Sequence, residues 1–216
     1  MRKRVLSSML GGLISLTMFT PSWAFEGSAE QGKIAAAVCM ACHQADGSGM
    51  HMPGGESWPR LAGLDAAYLY KQLVEFKEGQ RVNASMAPFA AMLNDTQMRD
   101  VAVYFSQLPA TQGKGGEAAD ADLLARGEKL ATQGDWDLYI PSCQSCHGPD
   151  NQGAGEHFPG IAGQHAGYLA RQLKDWQAGV RKNDPQNLMV PIASRMSERD
   201  IQAVSAWLSL QPSQAN

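Results

Sequence analysis

This 216-residue chain has four cysteines and no fifth. All four fall in two short motifs, so no thiol is left for a disulfide framework, a separate metal site or a lipid anchor near the N-terminus. An excess of basic charge is also missing. The 18 Lys+Arg stand against 21 Asp+Glu, a balance that disfavours nucleic acid and anionic lipid as partners. Beyond the N-terminal stretch no apolar run approaches the roughly 20 residues that a membrane-spanning helix needs. No alternating apolar run of strand length occurs either, which leaves helices and loops as the building material.

What is present starts with the cysteines. Cys39-Met40-Ala41-Cys42-His43 and Cys143-Gln144-Ser145-Cys146-His147 both read C-x-x-C-H. Two thiols three positions apart can add to the two vinyl groups on one porphyrin edge, and the adjacent histidine then lies beneath the iron. A bare C-x-x-C leaves a zinc half-site, a redox dithiol or a disulfide open. The following histidine, the duplication and the absence of an H-x-x-x-H run select c-type haem attachment. Two covalently bound haem c groups are expected, held by Cys39, Cys42, Cys143 and Cys146, with His43 and His147 as proximal iron ligands.

The N-terminus carries an address. Arg2, Lys3 and Arg4 precede an apolar run from Val5 to about Phe19, and Pro21-Ser22-Trp23-Ala24 supplies a helix breaker and a small residue. That is the pattern of a secretory signal, residues 1–24, cleaved near Ala24. The expected mature protein is exported and periplasmic, with no stable membrane insertion. Its 15 cations and 21 anions give a formal charge of −6, and residues 25–112 and 113–216 contribute −3 each.

Those two halves are copies of one another. Asp46-Gly47-Ser48-Gly49 answers to Asp150-Asn151-Gln152-Gly153 at an offset of 104. At an offset of 100, Pro59, Leu61, Tyr68, Leu69, Gln72, Leu73, Phe76 and Arg81 answer to Pro159, Ile161, Tyr168, Leu169, Gln172, Leu173, Trp176 and Arg181. Repetition on this scale predicts two domains of one kind, an N-terminal domain at 25–112 and a linker with the C-terminal domain at 113–216. The Gly- and Ala-rich stretch from about Ala110 to Asp120 is the expected connection. Within each copy the periodicity is helical: Leu69, Leu73 and Phe76 form one stripe, and Leu169, Leu173 and Trp176 its counterpart. Further helices are predicted around residues 32–38 and 121–132. A closing helix in each copy starts at a capping-box-like pair, Asn94 with Gln97 and Ser197 with Asp200. The expected fold is all-α, with each small domain relying on its haem to complete the core.

A proximal histidine leaves one iron position. Eleven methionines and the histidines His51, His157 and His165 compete for it. Aligning the copies matches only Met86 with Met189, each two residues before a proline and just upstream of the closing helix. They are the expected sixth ligands, since Met/His ligation suits electron-transfer haem. Met92, Met98 and Met196 are expected as core filler. His51, His157 and His165 are expected at the surface or behind the ligands, with bis-histidine ligation as the alternative. A carbonyl at or beside Pro59 and Pro159 is a candidate acceptor for the Nδ1–H of the proximal histidines. Arg60, Tyr68 and Tyr168 are candidates to bond haem propionates.

The ordered set of tandem C-x-x-C-H motifs, A-C-H-x-x-D-G or C-H-G-P-D, P-x-[LI]-A-G, Y-L-x-x-Q-L-x-x-[FW] and a late M-x-P resembles the c4-type dihaem cytochromes over nearly all of the mature chain. The resemblance implies two tandem class I cytochrome c domains, His/Met iron in both, and electron delivery in the periplasm, toward a terminal oxidase. On this reading the protein is an electron carrier, not an enzyme, shuttling between a redox protein donor and acceptor, among them a membrane-bound terminal oxidase. The alternatives are the cytochrome subunit of a periplasmic dehydrogenase of the flavocytochrome c type, or a catalytic dihaem enzyme such as a peroxidase or thiosulfate dehydrogenase.

Overall fold

A computed structural model describes residues 25–214. The predicted leader, residues 1–24, lies outside the described residues. The first half runs through α1 (Ala29–Ala35), α2 (Met40–His43), α3 (Ala66–Lys77), α4 (Met86–Ala91) and α5 (Asp95–Gln107). The second repeats that order with α6 (Ala121–Thr132), α7 (Gln144–His147), α8 (Ala166–Gln177), α9 (Met189–Ala193) and α10 (Glu198–Leu210). Among the described residues there is no strand. Extended backbone meets only in isolated bridges such as Met50 with Trp58 and Ala154 with Phe158.

Local chemistry sets the helix starts. The Asp65 carboxylate accepts the Tyr68 N–H at 2.9 Å and opens α3. Complete capping boxes open α5, at Asn94 and Gln97, and α10, at Ser197 and Asp200. Each side-chain cap satisfies a helix N–H that would otherwise lack a partner, worth about 1 kcal/mol. Aspartate serves in the second box where glutamate or glutamine is usual, because the Ser197 N–H lies within 2.9 Å of its carboxylate.

One crossing organises each half: α1 packs across α5 in the first, and α6 across α10 in the second. The contact is backbone on backbone. A methyl group on Gly32 would sit 2.0 Å from the Asp100 carbonyl oxygen, and one on Gly127 would sit 2.2 Å from that of Ala203. This close approach brings α5 and α10 under the haem motifs. Leu69, Met98, Val101 and Phe105 fill the first core, and Leu130, Leu169, Met196, Ile201 and Val204 the second.

Met98 and Met196 are core residues as expected, but Met92 is 64% exposed. It stands at the C-terminal end of α4, where the chain turns toward α5, and its neighbour Leu93 takes the buried place.

The connection between the halves is a strap laid on the second domain. Ala166 N–H donates to the Lys114 carbonyl at 2.9 Å, and Gln112 Nε2 donates to the Ser209 carbonyl at 2.9 Å. Arg60 locks the halves directly. Its Nε donates to Gly163 O at 3.1 Å and Nη2 to Ala162 O at 3.0 Å, while Nη1 donates to Ala62 O within its own half. The Arg60 amide and carbonyl are paired with the two ends of the Gln164 side-chain amide at 2.8 and 2.9 Å. Arg60 therefore spends its guanidinium on the domain joint, which corrects the expectation that it bonds a propionate. Burial pulls its pKa down to about 10, so the charge persists at neutral pH.

The helix crossing yields a stability test. Gly127→Ala is expected to destabilise the C-terminal domain by about 3 kcal/mol, the upper range for forcing extra volume into a packed contact. Denaturant unfolding of the haem-loaded protein, followed by helical circular dichroism, checks it; a loss below about 0.5 kcal/mol would show that the crossing relaxes freely.

Candidate functional site

Both C-x-x-C-H motifs form one helical turn, α2 and α7, so the paired cysteines and the histidine project from neighbouring positions of the same turn. The segment after each motif folds back and delivers a proline carbonyl. His43 Nδ1 lies 2.9 Å from Pro59 O, and His147 Nδ1 lies 2.7 Å from Pro159 O. The proline carbonyls accept the Nδ1–H, so each imidazole is held as the Nδ1–H tautomer with Nε2 left as a lone-pair donor. Burial lowers both histidine pKa values, and the proline carbonyls only partly offset this. Both rings stay neutral at neutral pH, as iron ligation requires.

The thiols sit in the opposite regime. Burial raises the Cys39 pKa and pushes Cys143 up to about 12. A thiol held that high is protonated and a poor redox nucleophile.

Cys39, Cys42, His43 and Met86 line the same cavity of about 570 Å³ as Cys143, Cys146, His147 and Met189. Each matched methionine opens a short helix, and its backbone is tied down. Met86 N–H donates to Asn83 Oδ1 at 2.8 Å, and Met189 N–H to Asp184 Oδ2 at 2.9 Å. Apolar side chains of α3, α5, α8 and α10, among them Leu69, Phe105, Leu169 and Val204, complete the walls. A concave apolar space carrying two cysteines, an oriented neutral histidine and a thioether in each half fits two haem c groups.

A polar bridge lies where the two halves of this cavity meet. Arg81 Nη2 donates to Tyr168 Oη at 2.8 Å and to Gln172 Oε1 at 2.7 Å, and its Nη1 donates to Gln72 Oε1 at 2.9 Å. From the other side Arg181 Nη1 donates to the same Gln172 oxygen at 2.7 Å. Each guanidinium stacks on an aromatic of its own half, Arg81 on Phe76 at 4.6 Å and Arg181 on Trp176 at 4.7 Å. Lys71 joins the cluster and pairs with Glu75. Three cations against one carboxylate leave the bridge positive, a charge that would suit haem propionates reaching it. Tyr168, a candidate propionate partner, here accepts from Arg81. The arginines and glutamines carry the bridge, and their signal in the sequence was that Gln72, Arg81, Gln172 and Arg181 match between copies.

The spare histidines separate. His157 is on the surface, 3.0 Å from Glu156. His165 is buried at the joint between the halves, where its Nε2 meets Ser48 O at 2.9 Å. His51 lies beside it with ring centroids 6.3 Å apart. None of the three lines the cavity beside the irons' expected position except His157 at its rim. The copies also differ ahead of the second motif. Residues 133–142 form a turn with no counterpart in the first half, and it holds Trp136 and Tyr139 exposed while Ile140 and Pro141 line the cavity.

Among known proteins, the family profile described as cytochrome c matches residues 29–109 and again 124–211. A protein of Thiomonas intermedia (strain K12) named thiosulfate dehydrogenase electron acceptor is 41% identical over 98% of this chain and 92% of its own. The crystal structure of reduced cytochrome c4 from Pseudomonas stutzeri has a TM-score of 0.77 at 35% identity, covering 87% of this chain and all of the other. Thiosulfate dehydrogenase TsdBA from Marichromatium purpuratum also scores 0.77, at 36% identity, over 85% of this chain and 40% of its own. Matched in both halves by the family profile and along the whole length of cytochrome c4, the chain belongs to the cytochrome c family, as a c4-type electron carrier with two covalent haem c groups.

Proposed function

We propose that this protein is the exported electron acceptor of a thiosulfate-oxidising dehydrogenase and passes the electrons on toward a terminal oxidase. The observation that carries this reading is the 41% identity, over nearly the full length of both chains, to a protein named for accepting electrons from thiosulfate dehydrogenase. The predicted leader, residues 1–24, supports export to the periplasm. A stable association with the dehydrogenase is the second reading, favoured by the likeness to 40% of a longer thiosulfate dehydrogenase chain.

Cys39 and Cys42 attach one haem and Cys143 and Cys146 the other. His43 and Met86 would complete the first iron, and His147 and Met189 the second. When bound, each haem iron supplies one reversible Fe(III)/Fe(II) electron. The chain does the rest. Proline carbonyls fix the imidazoles, and Asn83 and Asp184 hold the amides of the two methionines, so these side chains would be held in place whichever charge the iron carries. With a histidine and a methionine on each iron no position would remain for a substrate, which supports a carrier that leaves the chemistry on thiosulfate to its donor. Arg81 and Arg181, joined through Gln172, would offer cations to the haem propionates from both halves.

Two outcomes follow. Replacing Met86 or Met189 by Ala should each remove about half of the near-infrared sulfur-to-iron band of the oxidised protein and open one iron to external ligands, while Met92→Ala, on the surface, leaves the band intact. Loss of the band in Met92→Ala or Met196→Ala, with Met86→Ala unaffected, would overturn the ligand assignment.

The second outcome concerns turnover. The oxidised haem-loaded protein should be reduced rapidly by thiosulfate only when a catalytic amount of a thiosulfate-oxidising dehydrogenase is added, as read by the growth of the ferrous bands in stopped flow. Saturable thiosulfate oxidation by the protein alone would make it an enzyme. Failure of the dehydrogenase to reduce it would remove the proposed donor.

A further inference from the structure

His165 stands at the position that Asp65 occupies in the first copy. Asp65 uses its carboxylate to cap α3, whereas the His165 side chain makes no cap bond to α8. The second copy gives up a helix cap and places an imidazole across the joint instead. His165 Nε2 lies 2.9 Å from the Ser48 carbonyl, in the loop that follows the first haem motif. On its other side Nδ1 faces the backbone N–H of Lys114 in the strap, at 3.2 Å. A carbonyl only accepts and an amide N–H only donates, so these two partners fix the ring as the neutral Nε2–H tautomer. One side chain of the second domain thereby ties together the first domain and the strap.

A second proton has only one place to go, Nδ1, and there it meets the Lys114 N–H head on. The other charged and titratable groups facing the ring offer no relief. Arg60 from the first domain, Lys114 from the strap and His51 from the first domain all disfavour added positive charge on it. The nearest carboxylate of the strap, Glu117, is turned to the Gly115 N–H at 2.7 Å. The ring itself is 2% exposed.

We propose that His165 is an acid-sensitive latch on the strap between the two haem domains: protonation of its imidazole breaks the bond to the Lys114 amide and frees the strap from the second domain, while the Nε2–H bond to the Ser48 carbonyl is kept. Burial, reinforced by His51, Lys114 and Arg60 and only partly countered by the Ser48 carbonyl, holds the His165 pKa below the usual histidine value. The sign follows from that lowering. The closed joint prefers the neutral ring, and an open joint returns the ring to about pH 6.5. Above that pH the opening equilibrium is flat. Below it, opening rises by about tenfold per pH unit and levels off once the pH passes the lowered value of the closed state. Arg60 holds the halves by a charge that does not titrate in this range, so the latch loosens the strap before the domains part.

The test uses the haem-loaded protein in its diamagnetic reduced form. Amide hydrogen exchange at Lys114 and Ala166, corrected for intrinsic exchange, is followed from pH 7.5 to 5. Opening should be flat and then rise about tenfold per pH unit below about 6.5. His165→Asn retains a neutral acceptor for the Lys114 N–H and should remove the pH dependence, whereas His51→Asn should leave it in place. The same rise in His165→Asn, or its disappearance in His51→Asn, would overturn the proposal. Should His165→Asn not load its haems, the imidazole nitrogen shifts of the wild type decide. An Nε2–H tautomer that protonates in step with amide opening upholds the latch; a ring that stays neutral while the amides open, or that carries its proton on Nδ1, refutes it.

Discussion

The buried guanidinium of Arg60 fixes how the two halves of this molecule meet, and the rest of the interior depends on that joint. Arg60 follows Pro59, whose carbonyl orients His43, and it binds the carbonyls of Ala162 and Gly163, just beyond Pro159, whose carbonyl orients His147. The two proximal histidines are thus linked through a few residues of backbone and one side chain. A charged group hydrogen-bonded to carbonyls contributes about 1.5–3 kcal/mol per bond, and loss of the side chain strands buried carbonyls without partners. A slack joint here would move both imidazoles relative to each other, together with the arginine bridge that the same joint holds in register.

Duplication explains the core of each half, and departures from duplication explain the joint. Gly32 with Gly127 and Pro59 with Pro159 do the same work in both copies. Arg60 has Gly160 as its counterpart, Gln164 has Leu64, and His165 has Asp65. A tandem pair with identical faces would meet by matched contacts alone. Here the pairing is sided: the first domain supplies the guanidinium, and the second supplies the carboxamide and the imidazole. The sided contacts specify one arrangement among those that the shared apolar surfaces would permit.

This division also decides what the amino-acid sequence made legible. The helices α3, α5, α6 and α10 were readable because their apolar spacing and caps are local, and the attachment motifs and matched methionines because the copies repeat them. Arg60 and His165 escaped because the repeat aligns a residue with its equivalent and says nothing of what it touches across the joint. Arg60 read as a candidate propionate partner; burial against carbonyls of the other half is a property of the assembled fold alone. Met92 read as core on composition, yet the turn that ends α4 points it outward while Leu93 is buried. The Trp136–Tyr139 turn has no counterpart in the first copy, so comparison of the copies had nothing to say about it.

Charge completes the argument. Each half carries a formal −3 and would repel its twin if its charges were spread evenly. The joint avoids this by gathering Arg60, Arg81, Arg181 and Lys71 along the inner faces with Glu75 as the one carboxylate in their hydrogen-bonded cluster. Drawing cations inward has an outward consequence: the surface left for partners is more acidic than the net charge of the chain. Complementary charge mainly raises encounter rates and steers orientation, and its effect declines as salt increases. The same segregation that lets two anionic domains share one cavity therefore leaves a field that favours a donor or acceptor presenting basic residues around its own redox centre.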